Sequence, residues 1–185
     1  LILTTNNHSP FNVDPSLLPP LPTLPPEARN WDEQTLTVLR HEMFVDREVT
    51  RFVGEASKRF PHALFVITGD HAAYGANYQL TGSSPLDLLT VPIIFTGDGL
   101  PATLRGHYQR PASHLDIVPT IYDLIAPAGF VYDAFGENLL GTEKMGTGTH
   151  ALGQDKVLLD GWIANTTDPH IDGILENTNP PVTEI

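Results

Sequence analysis

The chain is 185 residues long, enough for one domain with a substantial core, and carries 10 Lys+Arg against 22 Asp+Glu for a net charge of −12. That balance, without any basic block, argues against nucleic acid, whose binding needs clustered cations, and against an anionic membrane surface. With no cysteine in the sequence, disulfides, a thiolate metal site and a thiol nucleophile are excluded.

The sequence opens without Met on Leu1-Ile2-Leu3-Thr4-Thr5. This reads as a buried strand already under way, so the chain is expected to be a piece of a longer polypeptide. Residues 10–30 carry Pro10, Pro15, Pro19, Pro20, Pro22, Pro25 and Pro26, too many for a helix or a central strand. They predict an irregular surface loop, with a PxxP recognition peptide at Pro19-Pro20-Leu21-Pro22 as the alternative. Asp32 can cap a long helix running to about Phe60, with Val38, Val45, Val49, Phe52, Val53 and Ala56 inward and His41 on the exposed side. Pro61 ends it, and residues 63–68 read as a buried strand leading to Gly69-Asp70-His71.

Polar turn residues follow, then a second apolar strand over 91–95, with Pro92 placing its start near an edge or a bulge. The longest apolar stretch, Leu88 to Phe95, is broken by Thr90 and Pro92 and falls far short of the ~20 residues of a membrane span. Residues 105–110 suggest a further short strand. Ser113-His114-Leu115-Asp116 reads as a capping box whose helix buries Ile117, Ile121, Leu124 and Ile125, with Pro119 tolerated in the first turn. A last strand is expected over 156–163, and a polar, peripheral tail from Asn165 onward. Helix followed by buried strand is the repeat of an α/β fold, so a mostly parallel sheet with helices on both faces is expected. The domain is read as residues 1–164 and the tail as 165–185.

Asp70 and His71 stand where an apolar strand gives way to a glycine turn, and open α/β sheets hold ligands beyond the carboxyl ends of their strands. A carboxylate beside an imidazole suits one divalent cation, Mn or Zn better than Ca or Mg. The plain alternative is a turn with a hydrogen-bonded aspartate. His8 follows the opening strand in the same way, which would bring it to the same sheet edge; its plain alternative is a loop histidine with a backbone partner. The remaining histidines (His41, His62, His107, His114, His150, His170) are scattered, and only His150, among glycines and threonines, could reach a second metal. No Gly-x-Ser-x-Gly elbow, phosphate-binding loop or His-Glu-x-x-His helix occurs. Thr4, Thr5 and Thr68 lie in expected strands with no neighbouring base to activate them.

In order, these segments resemble the sulfatase-like branch of the alkaline phosphatase superfamily, nearest to the lipoteichoic acid synthase and phosphoglycerol or phosphoethanolamine transferase group. Four segments carry the resemblance: Leu3 to Phe11, with His8-Ser9-Pro10-Phe11; Asp46 to Phe52; Leu64 to His71; and Ser113 to Leu124, followed by Phe135-Gly136-Glu137-Asn138-Leu139-Leu140. The resemblance implies an alkaline phosphatase-like α/β fold, here a partial domain. It implies a divalent metal held by an early acidic residue, a nucleophile, Asp70 and His71, with His8 donating to a non-bridging oxygen of the substrate. A covalent phospho- or sulfo-enzyme would pass to water or an acceptor hydroxyl. The implied substrate is a phosphate or sulfate ester, a lipid head group among the candidates. The implied setting is an extracytoplasmic domain of a membrane-anchored bacterial protein.

The sequence also departs from the family pattern. Ala72 replaces the glycine that usually follows Asp-His, and no histidine occurs between Ala73 and Pro85, which counts against the phosphoethanolamine transferases. The acidic ligand and the nucleophile are expected upstream, in a missing N-terminal half, leaving the chain alone inactive. The competing class is a non-catalytic binding or structural domain that kept the fold.

Overall fold

A 27-residue helix, α1 (Glu33–Arg59), dominates the first part of the molecule. The structure is a computed structural model that describes residues 1–71, 90–108 and 112–141 and the strands 150–152, 156–159, 162–165 and 171–174. The chain divides into two compact units, Leu1–Pro101 and Ala102–Ile185.

In the first unit α1 starts where expected, because the Asp32 carboxylate accepts the orphan Thr35 N–H at 2.8 Å. It ends at Phe60, with Lys58 and Arg59 in the last turn, where cations complement the helix dipole. The Thr35 backbone bond holds the Asp32 carboxyl below its ordinary range. Capping by the carboxylate is therefore complete above the unfolded Asp pKa of about 3.9. It is lost as pH falls through the lowered folded value. Circular dichroism should show α1 losing helicity in that acid window, and Asp32→Ala should remove the step.

The proline-rich segment is a strap across the first half of α1. Arg40 Nε donates to the Pro19 carbonyl at 3.1 Å and Arg47 to the Leu17 carbonyl at 2.9 Å. Ala28 of the strap itself and Thr35, Val38 and His41 of α1 are all buried. The expectation of an outward His41 is corrected: it is only 1% exposed. Val38, His41 and Val45 share one helical face, and the strap covers that face at His41 while Phe52, farther along, stays exposed.

Strand β1 (Phe65–Thr68) pairs antiparallel with β2 (Ile93–Thr96), Phe65 opposite Thr96 and Thr68 opposite Ile93. Gly97 ends β2 at φ 107°, and a Cβ there would collide with the Ala63 carbonyl. Gly97→Ala should therefore destabilise the unit by about 1–3 kcal/mol in a denaturant melt. Leu1–Thr5 forms no strand. Leu1, Ile2 and Leu3 are exposed, and no described strand offers them a ladder. β-Propensity alone does not pair a strand. Nor do residues 105–108 form one; a 3-10 turn at Ala102–Leu104 precedes them, and Tyr108 donates to the Leu104 carbonyl at 2.8 Å. Residues 109 and 110 lie outside the described residues.

In the second unit, Ser113 and Asp116 close the capping box around a 3-10 turn, and α2 (Ile117–Ile125) follows. Pro119 sits buried in its first turn, as expected. The inner face differs: Thr120 is completely buried, whereas Ile125 is 63% exposed. Strands β3 (His150–Leu152), β4 (Lys156–Leu159), β5 (Trp162–Asn165) and β6 (Ile171–Ile174) form an antiparallel sheet in sequence order. The single strand expected over 156–163 is thus two, with Leu159 paired to Trp162 and only Asp160-Gly161 between them. The region read as a tail contains β6. Both described sheets are antiparallel, so the expected parallel pairing is not found among the described residues.

Candidate metal centre

The apolar run Phe65-Val66-Ile67 fixes β1 in its ladder, and the chain leaves it through Gly69. A Cβ at Gly69 would lie 3.2 Å from Val91 Cγ1, so the turn is seated against the approach to β2. Asp70 and His71 emerge there, with side chains 86% and 48% exposed. Asp70 Oδ1 accepts the His71 backbone N–H at 3.1 Å, and Asp70 Oδ2 lies 3.8 Å from His71 Nε2. At the end of a strand, the couple sets one hard oxygen donor beside one imidazole. That donor set fits a divalent transition ion, which takes both ligand types.

His8 sits in a tight turn. Its N–H reaches the Thr5 carbonyl at 3.3 Å, and its own carbonyl accepts from Phe11 N at 3.0 Å. Phe11 has φ 52°, a left-handed conformation that costs a non-glycine residue about 1–3 kcal/mol. His8 Nδ1 is 2.6 Å from the Ser9 carbonyl. A carbonyl only accepts, so Nδ1 carries the hydrogen and Nε2 is the outward atom. To donate through Nε2 the ring must be protonated, which suits an anionic ester.

The structure brings Asp70 and His71 together but assembles no larger cluster. Among the described residues, no three His, Asp or Glu side chains converge as a metal cage would require, so His8 does not complete one. His62, His107 and His114 are exposed, and His150 lies on β3 of the second unit; His170 is outside the described residues. Thr4 and Thr5 are exposed, and Thr68 Oγ1 donates to the Gly69 carbonyl at 3.1 Å. None of the described helices is long and apolar enough to cross a membrane.

Two features escaped the sequence reading. One is His41, whose ring Nδ1 is 2.8 Å from the Thr37 carbonyl and whose ring packs edge-on to Phe11, centroids 5.4 Å apart. Its place in the Val38–Val45 stripe was the available signal. The other is a buried polar clasp around Asp116. Oδ2 accepts the Ser113 N–H at 2.6 Å, Oδ1 the Glu137 N–H at 2.8 Å, and Thr120 Oγ1 donates to the Asp116 carbonyl while accepting from Leu139 N. Gly136 lies so close to the Leu115 backbone that a Cβ has no room. The run Asp116-Ile117-Val118-Pro119-Thr120 is therefore a fastening that holds residues 136–140 against α2.

A family model described as Sulfatase matches residues 1–127. That span takes in the His8 turn, α1, both strands of the first sheet, Asp70-His71 and all of α2. No curated protein and no solved structure matches the chain.

Proposed function

This chain belongs to the sulfatase family, within the alkaline phosphatase superfamily, and from that premise we propose that it is the C-terminal part of a metal-dependent domain acting on phosphate or sulfate esters, of the phosphoglycerol transferase kind. Sulfatase-family enzymes are generally metal-dependent. In this reading Asp70 and His71 supply two ligands to one divalent ion, Mn or Zn in preference to Ca or Mg. The ion supplies Lewis acidity toward the ester oxygens. His8, protonated, donates through Nε2 to a non-bridging oxygen, an interaction that strengthens as negative charge builds there. The nucleophile and the acidic ligand come from chain outside these residues, and the whole protein is an extracytoplasmic, membrane-anchored enzyme whose substrates include lipid head groups.

The exposed Asp70–His71 couple, held at a strand end, carries this reading. A carboxylate and an imidazole that served only the fold would be expected to point into packing, whereas Asp70 is almost wholly solvent-facing. The direct test pairs metal content of the whole enzyme with its turnover of aryl phosphate and aryl sulfate esters. A stoichiometric divalent ion and turnover of one ester class are expected. A metal-free, inert whole protein would leave the non-catalytic reading in its place. The isolated 185-residue chain should turn over neither ester; robust metal-dependent activity from it would refute the assignment of the nucleophile elsewhere.

A further inference from the structure

His41 has no role in the site as described, yet it is the largest side chain wholly enclosed among the described residues. Its Nδ1 gives its hydrogen to the Thr37 carbonyl, one helical turn back, which locks the ring. Its Nε2 is buried and has no hydrogen-bond partner among the described residues. A position that served packing alone would favour an apolar side chain, since an unsatisfied buried nitrogen is a cost. What the ring does touch is Phe11, with planes at 66°. Phe11 in turn closes the His8 turn through its backbone N–H, in a left-handed conformation that the surroundings must enforce.

We propose that His41 is a positioning residue for His8: its locked ring is the wall against which Phe11 seats, and the seated Phe11 sets the turn that presents the His8 imidazole. The inference rests on the assignment of His8 as the group that donates to the substrate. A strained, exposed turn would otherwise relax, and small misplacements of a donor cost much of its effect in the transition state. The imidazole of His41 acts at a distance and never meets the substrate.

The test has two arms. In the first, amide hydrogen exchange of Phe11 is followed by NMR in the 185-residue chain. His41→Ala should speed that exchange, and His41→Phe, which restores a flat aromatic wall, should return it toward the original rate. Unchanged exchange in His41→Ala, or equal acceleration in both variants, would overturn the proposal. In the second arm, the whole enzyme is assayed on whichever aryl ester it turns over. His41→Ala should lower kcat by between about tenfold and a hundredfold, with KM little changed, and His41→Phe should recover most of it. In a His8→Ala background the same change should have no further effect. A full, additive loss there would mean that His41 acts by some other route. Should His41→Ala fail to fold, Phe11→Leu breaks the same contact from the strap and should reproduce both effects. If His8→Ala alone leaves turnover intact, the assignment of His8 falls, while the exchange arm still judges the link from His41 to the turn.

Discussion

Replacing Asp70 with Ala in the whole enzyme is expected to remove its bound divalent ion and to lower kcat/KM for the ester substrate by about a thousandfold or more, the scale of losing several kcal/mol of charge stabilisation. His71→Ala should do the same. Neither change should move the melting temperature of the metal-free protein by more than a degree or two, because exposed side chains contribute about ±0.5 kcal/mol. Among the described residues Asp70 accepts one bond, from its own neighbour, and its side chain is 86% exposed. Elemental analysis and ester turnover on the same preparations check both halves. Retained metal with retained turnover would remove Asp70 and His71 from the site, whatever the family.

Asp116→Ala is expected to be the most destabilising single substitution in the second unit. Its two carboxylate oxygens satisfy backbone N–H groups at both ends of the clasp, Ser113 and Glu137, in a buried setting. Truncation leaves both donors unpaired, at about 1–3 kcal/mol each. The sum, roughly 2–6 kcal/mol, should appear as a lower urea midpoint with an unchanged slope. Thr120→Val, nearly the same shape, strands the Leu139 N–H and should cost about 1–3 kcal/mol. The two share one network, so the double variant should lose less than the sum. A shift below about 0.5 kcal/mol for Asp116→Ala would show that the 136–140 segment is held by other means.

What could be read from the residues was local. The Asp32 cap, the extent of α1, the strand into Asp70-His71 and the Ser113–Asp116 box all depend on groups within a few positions of each other. What could not be read depended on distant partners. Leu1–Thr5 has the composition of a strand, but a ladder needs a second strand, and none is described beside it. His41 looks outward on a bare helix and is buried only because residues 11–19 return across it. One oxygen of Asp116 is explained by the helix cap; the other answers to Glu137, far along the chain. Asp160-Gly161 carried a local signal that the single strand expected over 156–163 passed over: such a pair between apolar runs is the strongest short-range sign of a hairpin, and Leu159 pairs with Trp162 on either side of it.

Arg40 and Arg47 fasten the strap by its main-chain carbonyls, not by its side chains. Every residue type carries a carbonyl, so substitutions at Leu17 or Pro19 leave both grips in place. Inserting or deleting a residue between those points does not, because the guanidinium groups are spaced by the helix. The segment should accept wholesale changes of composition while remaining intolerant of any change in its count of residues. Its attachment should also be nearly indifferent to ionic strength, since neither grip joins two full charges.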